Sequence, residues 1–183
     1  MAAIGCGGGA GGDYGSVAGV VHGTTLEIDD AVSASVTTNS QGITVHSALI
    51  FMANTADLCA DAMTKTEHPN ERGVFMSLFD SNGLTFTTPS APGMYTIYQS
   101  GSPPAKAAVL SVSDSDATCK TIDASSAKAS TGSVTLEAVS GNAFTGSFDV
   151  ALDSGDHITG HFAPRECPAL QALIDNTAPA ICR

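Results

Sequence analysis

The sequence predicts a mainly β fold, an antiparallel sandwich or partly open barrel with one inserted helix and a short C-terminal helix. Three observations support this prediction. Only 14% of the 183 residues are Asp, Glu, Lys or Arg, and β-branched residues, which fit a pleated sheet, are frequent. Short alternating runs are separated by Gly, Asn, Asp and Pro. A Thr-Gly pattern recurs at residues 131, 145 and 159, each time inside an alternating run.

The length suits one domain with a substantial core. We expect residues 16–183 to form a single all-β domain, and residues 1–15 to be a signal remnant followed by a Gly-rich tether. Before the repeats, the alternation predicts strands at the segments 17–22, 24–28, 31–37, 43–52, 74–79, 84–87, 94–99 and 107–112. The run from Ile43 to Met52 becomes apolar on both faces, which predicts a strand in the centre of the core.

Two short segments have helical signals. Asn54 is placed as the N-cap of a helix from Thr55 to Lys65. Its predicted apolar face consists of Leu58, Cys59, Ala62 and Met63. A second helix is predicted after Cys167-Pro168, since proline is favoured in the first turn. Its apolar side consists of Leu170, Leu173 and Ile174.

The three Thr-Gly copies predict an antiparallel meander with one buried and one solvated face. In the middle copy, one face carries Phe144, Phe148, Val150 and Leu152. Glycines at positions 132, 146 and 160 leave backbone uncovered within the strands. Because an aromatic ring can cover a strand glycine, we expect Phe148 and Phe162 to do so.

The net charge of −11 would repel a phosphate backbone, so we expect no nucleic-acid partner. It also disfavours an anionic membrane surface, although solubility alone can account for such a charge.

No motif identifies a catalytic residue, a metal site or a cofactor. His157 and His161 would stand about 13 Å apart on a strand, too far to share a metal. Ser125-x-x-Lys128 has the spacing of penicillin-recognising serine enzymes, but its companion motifs are absent from the sequence. The aspartates at positions 114, 116, 153 and 156 could offer oxygen ligands to calcium, but turn formation is their commoner role.

The N-terminus resembles that of bacterial lipoproteins. Ala3-Ile4-Gly5 precedes Cys6 as a lipobox would, and a Gly-rich run follows. The five residues before Cys6 are too few for a complete signal peptide, so we expect the true start to lie upstream. The resemblance implies a lipid on Cys6 and, since Gly7 rather than Asp follows it, the outer membrane. The rest of the chain is also similar to uncharacterised lipoproteins of large paralogous sets, which brings no known activity.

Removing Cys6 leaves Cys59, Cys119, Cys167 and Cys182, which can form two disulfides in three ways. We favour Cys59–Cys119 and Cys167–Cys182, since the second pair would close a short loop around the C-terminal helix. Four reduced thiols in a cytosolic protein are the alternative.

For function, we expect a membrane-tethered binding or structural module whose partner is an unknown protein or envelope component. The alternatives are a hydrolase whose site is assembled only in three dimensions and a small-ligand-binding β-barrel. A cleft with converging titratable groups would favour the enzyme, and a deep apolar cavity would favour the ligand carrier.

Overall fold

The computed structural model describes residues 14–40, 42–83, 85–175 and 179–183. It confirms a mainly β fold, in which one large sheet curls into a half-barrel. The strands described are β1 (Gly15–Gly19), β2 (Asp30–Ser40), β3 (Ile43–Ala53), β4 (Thr66–Glu67), β5 (Arg72–Asn82), β6 (Thr85–Thr87), β7 (Gly93–Ile97), β8 (Lys106–Asp114), β9 (Ala127–Ser140), β10 (Ala143–Leu152), β11 (His157–Phe162), β12 (Arg165–Glu166) and β13 (Ile181–Cys182). The helices are α1 (Leu58–Thr64) and α2 (Ala169–Asp175), with a 3-10 turn at Asp123–Ser125.

The strand order of the large sheet is β1-β11-β10-β9-β7-β8-β5-β6-β3-β2-β12. Two short strands are inserted between longer neighbours that also pair directly: β6 between β3 and β5, and β7 between β8 and β9. Direct pairing of β8 with β9 is confined to Ser111–Val112 against Ala127–Lys128. The inserted strands therefore widen the sheet at one end only.

The predicted meander is confirmed as β9, β10 and β11. The four predicted core residues of β10 are all buried, from Phe144 at 0% exposed to Leu152 at 3%. The register places Phe148 opposite Gly160 and Phe162 opposite Gly146. Each phenylalanine ring lies against the glycine opposite it, as predicted.

Strand β3 is apolar on both faces, and each face belongs to a different core. Ile50 and Met52 point into the half-barrel. Leu49 and Ala53 lie on the outer face, in a second cluster with α1 and α2. The prediction of a strand in the centre of the core is confirmed. The helices α1 and α2 cover its outer face.

The predicted N-cap of α1 is wrong. The helix begins after Asp57, which has a left-handed φ of 64° and makes no side-chain cap hydrogen bond. The Asn54 side chain instead accepts a hydrogen bond from the Arg72 amide at 2.7 Å. The first helical amide, that of Leu58, donates to the Asp30 carboxylate at 3.0 Å. A cap 28 residues away in sequence leaves no local signal.

Other predicted elements differ from the structure in smaller ways. The segment 24–28 is not a strand; Val21 and Thr24 form an isolated bridge around a turn in which His22 and Gly23 have positive φ. Met63, predicted on the apolar face of α1, is 68% exposed. Gly15, expected in the tether, begins β1. Cys6 and the rest of the tether as far as residue 13 lie outside the described residues, as does Leu84 of the predicted strand 84–87.

The predicted disulfide pairing is wrong, although all four predicted cysteines are in disulfides. The bonds are Cys59–Cys167 and Cys119–Cys182, with Cα atoms 5.6 and 5.7 Å apart. Cys167 precedes α2, whose seven residues carry the chain about 10 Å away. The chain then reaches β13, which pairs with β4 beside α1. Cys167 therefore lies beside Cys59 of α1, and Cys182 lies beside Cys119. The predicted Cys167–Cys182 bond does not form.

Candidate functional site

A cleft lies on the outer face of the half-barrel, where α1, α2 and the segment after β8 meet the sheet. Its volume is about 240 Å³. We call it the helix–sheet cleft, and its lining includes Phe51, Leu58, Asp61, Glu67, His68, Glu71, Phe75, Asp114, Ser115, Cys119, Leu170 and Leu173. Apolar and titratable side chains therefore converge on one concave surface.

Two aromatic rings contribute to the apolar part of the lining. Phe51 of β3 and Phe75 of β5 are directly opposite in the register, and their ring centroids are 5.1 Å apart. Gly73 gives the Phe51 ring its room, since a Cβ on Gly73 would come within 2.6 Å of Phe51 Cε2. Both phenylalanines are half-buried, so part of each ring is accessible.

A carboxylate and an imidazole pair in the cleft. Asp61 is on α1 and His68 follows β4, and Oδ2 of the first lies 2.9 Å from Nε2 of the second. Because an ionised carboxylate can only accept, His68 Nε2 carries the hydrogen. The two side chains are 18% and 31% exposed.

Glu71 is a second carboxyl group in the cleft, and it is partly buried. Burial raises the pKa of Glu71 above its usual value, against the opposing effects of a hydrogen bond with Thr55 and the attraction of His68. The neighbouring carboxylates of Asp61 and Glu67 raise it further. Glu71 thus holds its proton to higher pH than an exposed glutamate.

Ser115 fixes the backbone of this region. Its hydroxyl oxygen accepts from the Glu71 amide at 2.9 Å, and the hydroxyl lies 3.1 Å from the His68 carbonyl oxygen. The Ser115 amide donates to the Glu71 carbonyl oxygen at 2.9 Å. Since backbone groups occupy this hydroxyl, Ser115 is not arranged as a nucleophile activated by His68.

Both disulfides frame the cleft. Cys59–Cys167 joins α1 to the residue that precedes α2. Cys119, which lines the cleft, is bonded to Cys182 of β13. The walls are therefore cross-linked at two points, so the cleft is preformed.

The histidines singled out from the sequence are exposed on β11 and do not converge. His157 is paired with Asp149 at 2.7 Å, and His161 Nδ1 lies 2.8 Å from the Ser16 hydroxyl. The Ser125 hydroxyl donates to a backbone carbonyl, that of Ile122. Neither sequence pattern forms a site.

The four aspartates considered as calcium ligands have structural roles. Asp114 pairs with Arg72, with 3.2 Å between Oδ2 and Nε. Asp116 accepts from two amides and a hydroxyl in its own turn, and these bonds lower the pKa of its carboxyl group. Asp153 accepts from the Lys128 amide and Asp156 from that of His22. Among the described residues, no three His, Cys, Asp or Glu side chains are grouped as metal ligands.

Among these lining residues, sequence reasoning named Asp114 as a possible calcium ligand and Cys119 as a disulfide cysteine. It also named Leu58, Leu170 and Leu173 on apolar helix faces, but it predicted no cleft. One feature of the sequence pointed towards this region. The run containing Phe51 is apolar on both faces, so another element must cover the outer face of β3. The carboxyl groups come from α1, β4, β8 and the residue that precedes β5, and only the fold brings them together.

In the part of the chain that the structure describes, no helix is long and apolar enough to cross a membrane. Comparison of the chain with known protein families, with curated proteins and with solved structures found no match.

Proposed function

We propose that the chain is an extracytoplasmic binding module that takes a small ligand in the helix–sheet cleft and is tethered to the outer membrane by a lipid on Cys6. The observation that carries the binding role is the cleft itself, in which aromatic, aliphatic and titratable side chains converge between cross-linked walls. Small-molecule sites have this composition: mostly apolar surface with a few placed polar groups.

The proposed location rests on the cysteines. Two disulfides indicate an oxidising, extracytoplasmic environment. They use four of the five cysteines, and the fifth, Cys6, is the residue of the lipobox-like start. A lipid on Cys6 would place β1 only nine residues from the membrane surface.

The cleft supports ligand binding better than the inside of the half-barrel does. The interior is packed with fully buried side chains, including Tyr95, Phe144, Phe162 and Leu136. A small-ligand barrel would need room at these positions.

A fragment screen by two-dimensional NMR tests the binding role. We expect fragments that bind at millimolar or better affinity to shift amide resonances of β4, α1 and the segment 115–121. The exposed Thr121 lines the cleft, so Thr121→Trp should obstruct it and weaken these fragments at least tenfold. Thr87→Trp, at an exposed strand position outside the cleft, is the matched control and should leave their affinity unchanged. No hits in the cleft, or equal binding to both variants, would refute the proposal.

Metabolic labelling with a fatty-acid probe tests the tether separately. Expressed from its full upstream start in the native host, the wild type should incorporate label and the Cys6→Ala variant should not. Absence of label from the wild type, or equal label in both proteins, would end this part of the proposal.

A hydrolase is the second candidate, because Asp61, His68 and Glu71 converge in the cleft. Release of product from ester, amide or glycoside substrates by the wild type, lost in His68→Asn or Glu71→Gln, would favour it. No release above that of either variant would eliminate it.

A further inference from the structure

We propose that the ligand of the helix–sheet cleft is a small organic cation, an ammonium group carried on an apolar or aromatic body. This inference rests on the proposed function, because it names the class of ligand for the same cleft.

The charge of the lining is the first argument. Asp61, Glu67, Glu71 and Asp114 are acidic, and His68 is the one basic side chain named in the lining. The guanidinium of Arg72 pairs with Asp114, and the imidazole of His68 is bonded to Asp61.

Glu71 differs from Asp61 and Asp114, which are each paired with a basic side chain. Its side chain hydrogen bonds to Thr55, whose hydroxyl is neutral. Its charge is therefore desolvated by burial while its bonded partner carries no compensating charge. A cation placed in the cleft would supply that charge and favour the ionised form of Glu71.

The aromatic pair is an independent argument for the same ligand class. Phe51 and Phe75 line the same cleft as the carboxylates, and both are half-buried. Aromatic faces attract ammonium groups through their quadrupole and contact apolar bodies equally well. An anion would meet both the ring faces and the carboxylates unfavourably.

The dimensions and ligand set restrict the cation further. A volume of about 240 Å³ lies just below the range of about 300–1,000 Å³ that is usual for small-molecule sites, which suits a small ligand. The described residues contain no group of three His, Cys, Asp or Glu side chains that could hold a metal ion. An organic ammonium compound fits both facts.

The first experiment is calorimetric titration of the full chain with three probes of similar shape and different charge. These are phenethylammonium, neutral 2-phenylethanol and anionic 3-phenylpropanoate. We expect phenethylammonium to bind at least tenfold more tightly than the alcohol, and the carboxylate to bind more weakly than both. Equal or tighter binding of the alcohol or the carboxylate would overturn the assignment.

Glu71→Gln is the test variant, since the amide keeps the size and the hydrogen bond of the glutamate but not its charge. It should weaken phenethylammonium about tenfold while leaving 2-phenylethanol within twofold. Glu27→Gln, at an exposed position outside the cleft, is the matched control and should change neither. Unchanged ammonium binding in Glu71→Gln would overturn the role given to this carboxylate.

The pH dependence provides a further readout. Phenethylammonium affinity should fall as the pH is lowered from 8 to 4.5, because Glu71, whose pKa is raised by burial, takes up a proton. The carboxylates of Asp61 and Glu67 and the imidazole of His68 also face Glu71, so the wild type is compared with Glu71→Gln, in which the dependence should be weaker. An affinity that rises on acidification would contradict the assignment.

The fragment screen and the three-probe titration together distinguish failure of this inference from failure of the proposed function. If fragments of other chemistry bind in the cleft and phenethylammonium does not, the binding role stands and the cationic class is wrong. If the screen and the three probes all fail, both proposals fail.

Discussion

The Phe148 ring of β10 lies directly against Gly160 of β11, and a Cβ on Gly160 would come within 2.5 Å of Phe148 Cζ. Phe162 bears the same relation to Gly146 in the opposite direction across the two strands, at 2.8 Å. Each ring covers backbone that a glycine would otherwise leave bare, which offsets the weakness of glycine in a strand. The Thr-Gly repeat thus encodes a reciprocal cross-strand packing.

Gly160→Ala should therefore lower the free energy of unfolding by about 2–3 kcal/mol, because the new methyl group would clash with Phe148 and with the Ser16 backbone carbonyl. Urea denaturation measures this loss. Gly93→Ala is the matched control, since its Cβ would meet only the flexible end of Lys106. A loss of the same size in both variants would show that general strand effects, rather than the Phe148 contact, are responsible.

Removing the Cys119–Cys182 bond should release β13 from the edge of the cleft. The double variant Cys119→Ser/Cys182→Ser should lose about 3–4 kcal/mol of unfolding free energy, since the bond closes a loop of 63 residues. Peptide mapping without reduction should recover Cys59 linked to Cys167 and Cys119 linked to Cys182. Cys6→Ser, outside both bonds, should not change the thermal midpoint. Recovery of a Cys59–Cys119 peptide would contradict the described connectivity.

Asp30 joins three elements through one buried carboxylate. It accepts from the Leu58 amide at the start of α1 and from the Arg165 guanidinium of β12, and its side chain is 2% exposed. Arg165→Ala would leave this charge without its cation and also remove a guanidinium stacked over Tyr14.

We expect Arg165→Ala to cost about 2–3 kcal/mol, less than for a fully buried pair because Arg165 is 44% exposed. Asp149→Ala, which breaks the exposed pair with His157, is the control and should cost less than about 0.5 kcal/mol. Thermal or urea unfolding measures both. Equal losses would show that burial of Asp30 does not determine the cost.

Glu71→Gln should stabilise the free protein at pH 7 while weakening its binding of cations. Burial raises the pKa of Glu71 in the folded state, so the glutamate favours folding at pH values below its unfolded pKa, and this contribution is lost as the pH rises through the folded pKa. The stability difference between variant and wild type should therefore grow from pH 4 to pH 7. Unfolding curves at several pH values test this, and a variant less stable than the wild type at pH 7 would contradict it.

The sequence by itself determined which residues of β10 face the core and that β3 is buried on both faces. Alternation with period two is a local property, so the buried face of β10 and the double-sided burial of β3 follow from it directly. The covering of strand glycines by Phe148 and Phe162 was also predicted from the sequence, while the cross-strand register decides that these rings cover Gly160 and Gly146.

Only the tertiary structure decided the contacts between distant segments. Cys59 and Cys167 are 108 residues apart, and Asp30 is 28 residues from the amide that it caps. Their meeting depends on how far the sheet curls and where α1 and α2 dock on its outer face. The helix–sheet cleft is a product of the same docking, since Asp61, His68 and Glu71 belong to segments that local patterns leave independent. Alternation assigns a side chain to a face, but long-range packing selects its partner on that face.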